Sequence, residues 1–300
     1  MKRFNAKNPF KKMYLIIILL FMYAPIAVMI VFSFNESRQL GHWTGFSLKW
    51  YEQLFNNSQI MSALGYTLVI ALLAASIATV VGTITAIGLH GYGKFSKSLV
   101  MNITYVPVVN PDIITGLSLM LLFMFAKMRL GFITMLIAHV VFCIPYVIFS
   151  VMPKLRQVNF SKYEAAQDLG ATPSQALRKV IIPELMPGIL SGFMLSFTLS
   201  IDDFVVSFFT TGNGVMNLST IIYSMTKRGI NPTLNALSTI MFAAVLILLT
   251  VINLYQNRGK RKRAANKTAA RNEEIEFELQ NSKIQNFGIE EENKIKSEEI

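Results

Sequence analysis

The chain carries a succession of apolar runs that are each long enough to cross a lipid bilayer as an α-helix. A helix needs about twenty apolar residues to span the hydrocarbon core, and apolar residues make up 53% of the 300 positions. Such a composition is typical of membrane proteins rather than of soluble domains. The sequence therefore predicts an all-α, polytopic membrane protein with six transmembrane helices. The predicted spans are residues 14–34, 61–89, 99–126, 132–152, 185–209 and 234–255.

The charged residues are distributed as membrane orientation requires. The formal net charge of +11 is by itself compatible with nucleic-acid binding. Residues 1–271, however, hold 25 Lys and Arg against 8 Asp and Glu, and the basic residues flank the apolar runs. Nineteen of them fall in segments assigned to the cytoplasm and six in outer segments, so the positive-inside rule places both termini in the cytoplasm. We therefore reject nucleic acid as a partner and predict a multi-pass plasma-membrane protein.

These boundaries divide the chain into three parts. Residues 1–13 are predicted to be a short cytoplasmic segment and residues 14–257 a transmembrane domain. Residues 258–300 form a charged cytoplasmic tail, with 3 Lys against 9 Glu beyond residue 271, and we expect it to be disordered because it lacks a sustained apolar face. The single cysteine, Cys143, excludes an internal disulfide and a cysteine-based metal cluster. We expect neither a cofactor nor a bound metal.

A polar segment, residues 161–187, separates the fourth and fifth apolar runs. Ser161 and Glu164 have the spacing of a capping box, which predicts the start of a helix. Gly170 is placed to end that helix in the left-handed conformation. Since the segment is predicted to contain two short helices between membrane spans, we expect it to be a docking surface in the cytoplasm.

The second helix of this segment has its own start and stop signals. Thr172, Pro173 and Gln175 supply a cap, a proline at the first helical position and a second capping box. Pro183 and Pro187 are expected to end the helix, because proline lacks the backbone N–H that an interior position requires.

The same segment resembles the EAA loop of ABC-transporter permeases. That pattern reads EAA, three residues, Gly, nine residues and I-x-L-P; here it is Glu164-Ala165-Ala166, Gly170 and Val180 to Pro183, with two apolar substitutions. The resemblance implies a type I, MetI-like permease fold and coupling to a separate ATPase. An ordinary pair of cytoplasmic helices is the alternative, with Glu164 serving only as a capping partner. The coupling residues implied are Glu164, Ala165, Ala166, Gly170 and Pro183.

The chain has no convincing nucleotide site of its own. Gly88, Gly93 and Lys94 have the spacing of a phosphate-binding loop, but Phe95 replaces the required Ser or Thr. The segment also follows an apolar helix rather than a strand. Any ATPase must therefore be a separate chain.

Two ladders of small residues recur at every fourth position, which lets another helix approach closely. Packing within the chain and contact with another subunit explain them equally well. A lone histidine, His139, lies inside the fourth run, where a helix–helix hydrogen bond is favoured over a role as proton carrier. The ladders are Ala74, Ala78, Gly82 and Ala86, and Gly188, Gly192, Ser196 and Ser200.

Adjacent carboxylates, Asp202 and Asp203, lie in the outer half of the fifth run. Each intramembrane Asp costs about 2.5–3.5 kcal/mol near the bilayer centre, so the pair predicts a cation or a water-filled cavity. Phe204 adds an aromatic face on which a cation can bind. Asp112 follows Asn110 and a proline that interrupt the third run. Asp112 could line a pathway through the membrane or, equally well, be a structural acid in the first turn of a restarted helix.

Residues 195–212 and 222–239 are similar to the C-type subunits of spermidine/putrescine permeases, as are residues 46–55 and 106–123. The resemblance implies a polyamine importer that contains a second permease, two copies of a cytoplasmic ATPase and an extracellular polyamine-binding protein. Its substrate path would include Asp202, Asp203, Asp112 and Phe204. The alternatives are a permease of the same family for another solute such as a metal ion, an ion-coupled secondary transporter, and a membrane scaffold that transports nothing.

Overall fold

The computed structural model describes residues 9–38, 41–212, 214–227, 231–247 and 250, with side chains from residue 13 onward. These residues form twelve α-helices and one isolated antiparallel bridge, between Asn35 and Phe46. The predicted all-α class is thereby confirmed. The predicted tail, 258–300, most of the predicted segment 1–13 and the end of the sixth span lie outside the described residues.

The helices follow one another along the chain with short connections. A π-turn, Leu177–Ile181, joins α8 directly to α9. The helices are α1 (Pro9–Ser33), α2 (Lys49–Phe55), α3 (Ser58–Gly88), α4 (Lys94–Val109), α5 (Asp112–Phe125), α6 (Phe132–Leu155), α7 (Ser161–Asp168), α8 (Pro173–Ala176), α9 (Ile182–Asp202), α10 (Val205–Thr210), α11 (Leu218–Lys227) and α12 (Pro232–Ile247).

Four helical segments are long and apolar enough to cross a membrane, and the bent pair α4 and α5 is a fifth candidate. The predicted sixth span corresponds to α12, whose described part is shorter than a bilayer requires. The structure thus accounts for four or five of the six predicted spans within the residues that it describes. The four unbent segments are Met13–Ser33, Ser58–Gly88, Phe132–Leu155 and Pro173–Asp202.

Up to Leu237 the chain forms one compact unit, whose core is built by α3, α6 and α9 packing against one another. One face of α6 is fully buried, with Ala138, Cys143 and Val147 each 0% exposed. Of the second unit, which begins at Ser238, the structure describes the remainder of α12 and Thr250.

Both small-residue ladders face α6, so they serve packing within this chain. A Cβ added at Gly82 on α3 would lie 2.8 Å from the Cβ of Val147, and one added at Gly192 on α9 would lie 3.2 Å from the Cα of Val147. Val147 therefore lies between α3 and α9; an added Cβ at Gly82 would overlap it, and one at Gly192 would be a tight contact. All eight ladder residues are buried.

We expect Gly82→Ala to destabilise the protein by about 1–3 kcal/mol, the usual cost of overpacking, because the added Cβ would overlap Val147. Gly65→Ala on the same helix is the matched control, since a Cβ there meets no atom within 4 Å. The control should be neutral or slightly stabilising, as alanine favours the helix. The measurement is the melting temperature of the detergent-solubilised protein, and equal values for the two variants would contradict this packing.

The interruption predicted in the third run is confirmed. Asn110 has an extended backbone, φ −71° and ψ 142°, which is the conformation that a following proline favours. The chain turns there, so that α4 and α5 are bent by 106° relative to each other.

The prediction that Pro183 and Pro187 end the second helix of the polar segment is wrong. Helical structure continues from Pro173 to Asp202. In the π-turn that precedes Pro183, the Ile182 N–H donates to the Leu177 carbonyl, and such a turn changes the hydrogen-bond register locally. Pro187 lies inside α9, where a membrane helix tolerates the loss of a single hydrogen bond.

Candidate functional site

The polar segment 161–187 begins differently from the prediction. Ser161 is the first residue of α7, and its own N–H donates to the side chain of Asn159 at 3.0 Å. The predicted capping box between Ser161 and Glu164 does not form, because Phe160 occupies the cap position and no side chain caps it. Glu164 is instead exposed on α7, so capping no longer accounts for it.

The turn between α7 and α8 confirms the sequence signals. Gly170 has φ +88°, a conformation that side chains other than glycine rarely adopt. The Thr172 hydroxyl accepts from the Gln175 N–H at 3.4 Å, and the Gln175 side chain accepts from the Thr172 N–H at 3.1 Å. This second capping box fixes the start of α8, so the angle between the two short helices is set locally.

Aromatic and ionic contacts hold α7 on the body of the protein. The Phe160 ring stacks on His90 with centroids 3.9 Å apart, and Tyr163 packs against the core. The Lys162 Nζ lies 2.5 Å from the Oε1 of Glu184 at the start of α9. Pro183, which precedes Glu184, is exposed. These contacts place α7 beside α9.

The opposite side of α7 is exposed and carries the residues implied for coupling. Glu164, Ala165 and Gly170 are exposed, and Ala166 is half-buried. Leu169, which the sequence interpretation missed, is 90% exposed. Its signal is an apolar residue between Asp168 and Gly170 in an otherwise polar segment.

The fifth predicted span is broken at the paired carboxylates, so its prediction as one continuous helix is wrong. α9 ends at Asp202, Asp203 has an extended backbone (φ −64°, ψ 124°), and α10 begins at Val205. We call residues 202–204 the α9–α10 break.

The two carboxylates occupy different environments. The side chain of Asp203 is 5% exposed, and it accepts hydrogen bonds from the backbone N–H groups of Val206 at 3.2 Å and Ser207 at 2.8 Å. It therefore caps α10 in the manner of an N-cap acid. Of the pair, only Asp202 is exposed.

Phe204 belongs to an aromatic cluster beside the break. Its ring lies 4.8 Å from that of Tyr223 on α11 and 5.4 Å from that of Phe208. The ammonium of Lys227, one turn further along α11, lies 5.0 Å over the Tyr223 ring, so one ring of the cluster makes a cation–π contact within the chain. Tyr223 and Lys227 were missed at the sequence level, because only the fold brings α11 to the break.

Asp112 begins α5 and is exposed. One helical turn later, Gly116 packs closely on α10: a Cβ there would lie 3.3 Å from the Val205 carbonyl oxygen. Residues four apart share one face of a helix, so Asp112 lies on the side of α5 that faces α10. No side-chain hydrogen bond caps the start of α5.

His139 joins the helices on the buried side of the break. Its Nδ1 lies 2.7 Å from the Ser200 Oγ and its Nε2 lies 2.9 Å from the Ser207 Oγ. The ring thus connects α6 to α9 and α10, as the predicted helix–helix hydrogen bond requires. Within the described residues, no group of three or more His, Cys, Asp or Glu side chains could hold a metal ion.

Comparison with known proteins shows the family of the chain. A model of the family described as binding-protein-dependent transport system inner membrane component matches residues 78–262. The chain is 40% identical to the spermidine/putrescine transport system permease protein PotC of Haemophilus influenzae, covering 86% of this chain and 99% of that one. It is 38% identical to the putrescine transport system permease protein PotI of Escherichia coli, covering 86% and 94%.

Solved structures share the fold at lower identity. A bacterial ABC transporter involved in alginate import matches with a TM-score of 0.63 at 19% identity, covering 82% of this chain and 92% of that chain. An amino acid ABC transporter matches with a TM-score of 0.52 at 24% identity, covering 70% and 98%. The predicted ABC-permease architecture is confirmed. The chain belongs to the family of binding-protein-dependent transport system inner membrane components, and it is a membrane permease subunit rather than an enzyme.

Proposed function

We propose that this chain is a permease subunit of an ATP-driven polyamine importer and that Asp202 and Phe204 lie on its substrate path. The observation that carries the proposal is an exposed carboxylate in a broken membrane helix, next to a cluster of aromatic rings. Polyamines carry several ammonium groups, which carboxylates attract by charge and aromatic faces bind by cation–π contact. The similarity to PotC and PotI, whose names specify spermidine and putrescine, supports the same substrate class.

The remaining members of the proposed complex follow from the family. A second permease completes the path, two copies of a cytoplasmic ATPase drive it, and an extracellular binding protein delivers the polyamine. The span in α1 buries none of its apolar window within this chain, so lipid and the second permease would cover it.

Coupling would pass through one continuous helical segment. The outer face of α7, with Glu164, Ala165 and Leu169, would dock on the ATPase, and the Lys162–Glu184 ion pair ties α7 to α9. Helical structure then runs over 30 residues from Pro173 to Asp202, a length of about 45 Å at 1.5 Å per residue. A movement of the docked segment is thereby carried to the carboxylate on the substrate path.

The direct test is uptake of radiolabelled spermidine and putrescine into vesicles that contain the whole complex. We expect uptake to require ATP and the binding protein, and to be inhibited by unlabelled polyamine. Uptake driven by an ion gradient without ATP would favour a secondary transporter. ATP-dependent uptake of a metal ion or another solute, with no polyamine uptake, would keep the permease and reject the substrate.

The proposed orientation makes a separate prediction. We expect a reporter inserted at Asn57 to be external and a reporter fused after Lys260 to be cytoplasmic, because basic residues are concentrated on the cytoplasmic side of membrane spans. An enzymatic reporter that is active on only one side of the membrane measures this. The opposite pattern would invert the topology and place segment 161–187 out of reach of a cytoplasmic ATPase.

A further inference from the structure

A buried polar cluster lies directly behind the α9–α10 break. His139 is 1% exposed and contacts Ser200 on one side of the break and Ser207 on the other. Its Nε2 also lies 3.6 Å from the Asp203 Oδ2. The Asn217 side chain donates to the Ser207 Oγ at 2.6 Å and to the Asp203 carbonyl at 3.1 Å. One ring on α6 therefore connects the end of α9 with the start of α10.

The donors and acceptors of this cluster fit together in one consistent arrangement. The Asn217 Oδ1 accepts from the Thr220 N–H at 2.9 Å, so its Nδ2 is the donor to Ser207. The Ser207 hydroxyl donates to the Asp203 carboxylate at 2.9 Å, because a carboxylate only accepts. Ser207 can then only accept from His139, which assigns a ring proton to Nε2; in the neutral imidazole Nδ1 then accepts from Ser200.

We propose that His139 is a positioning residue for transport, which holds the break in the geometry that presents Asp202 and Phe204 to the substrate path. Asp202 and Phe204 are the chain neighbours of Asp203, so the extended backbone at Asp203 sets their directions. Buried polar groups in an apolar environment are costly unless they are hydrogen-bonded, and directional bonds favour one arrangement of the break. The inference about transport rests on the proposed function; the inference about the break does not.

Cysteine labelling tests the break independently of transport. Cys143 is the single cysteine and is 0% exposed on α6, as is Val206 on α10. Two proteins are labelled separately. In the first, Val206→Cys in a Cys143→Ala background places a reporter thiol at the break. In the second, which keeps the native Cys143, that thiol reports on the α6–α9 interface one turn from His139. We expect His139→Leu to raise the rate of N-ethylmaleimide labelling of this reporter thiol on the order of tenfold, by allowing local opening, while Cys143 stays protected.

Uptake by the whole complex is the second measurement. We expect His139→Leu to lower the maximal rate of polyamine uptake roughly tenfold with little change in KM, since the separate binding protein captures the substrate. His139→Gln should recover much of both losses, because its amide can both donate and accept. If His139→Leu does not insert, Ser200→Ala removes only the Nδ1 partner and should give smaller changes in the same direction. Cys143→Ala is the matched control on α6.

Several outcomes would overturn the proposal. An unchanged labelling rate of the reporter thiol would mean that the break is held without His139. If His139→Leu raised the labelling rates of the reporter thiol and of Cys143 equally, His139 would be a general packing residue. Normal uptake by a variant whose break has opened would show that the break does not affect transport. If the wild-type complex took up no polyamine while His139→Leu still opened the break, the polyamine proposal would fail and His139 would remain the residue that holds the break.

Discussion

Replacing Asp202 with Asn is expected to reduce polyamine uptake about ten- to a hundredfold at unchanged expression. The substitution keeps the shape of the side chain and removes its charge. A hydrogen bond to a charged group contributes about 1.5–3 kcal/mol, and about 1.4 kcal/mol corresponds to a factor of ten. Asp202 is the exposed member of the pair, so its loss should act on the substrate rather than on the fold. The measurement is radiolabelled polyamine uptake, normalised to the amount of inserted protein.

The neighbouring carboxylate gives the matched comparison. Asp203→Asn weakens the acceptor that caps α10 and receives the Ser207 hydroxyl, so we expect it to lower the amount of assembled complex. Asp202→Asn with wild-type uptake would remove Asp202 from the path. If added salt abolished the difference between Asp202→Asn and wild type, the carboxylate would act through screened long-range attraction rather than direct contact.

Replacing Gly170 with Pro is expected to abolish transport while the chain still inserts in the membrane. Proline fixes φ near −65°, whereas Gly170 has φ +88°, so α7 and α8 would lose their relative angle. The docking face of α7 would then no longer fit the ATPase. The measurements are co-purification of the ATPase and ATP-dependent uptake. Full transport with a normal yield of ATPase would refute the role of this segment in coupling.

Leu169 provides a milder test of the same surface. We expect Leu169→Ser to weaken ATPase co-purification, because a side chain that is 90% exposed in the isolated chain would be covered in the complex. The melting temperature of the isolated chain should not change, since Leu169 contributes little to the core. Leu185→Ser is the contrasting variant: Leu185 is 0% exposed, so its replacement should destabilise the chain itself.

The sequence alone determined the features that are encoded locally. The length and apolarity of the runs predicted the membrane class, since a bilayer of fixed thickness imposes a fixed helix length. Gly170 and the Thr172–Gln175 capping box were predicted correctly, because each depends on a few consecutive residues. The interruption at Asn110 was found for the same reason. The spacing of the EAA pattern identified the family.

Only the tertiary structure decided which role each residue has at the candidate site. Asp202 and Asp203 are adjacent in sequence, but the chain leaves its helix between them, so one is exposed and the other is buried beside His139. The hydrogen bonds that cross the break join His139 to residues more than sixty positions away. Tyr223 reaches Phe204 only through the fold. The ladders were ambiguous for the same physical reason: a row of small residues permits close helix approach, and only the packed structure determines which helix approaches.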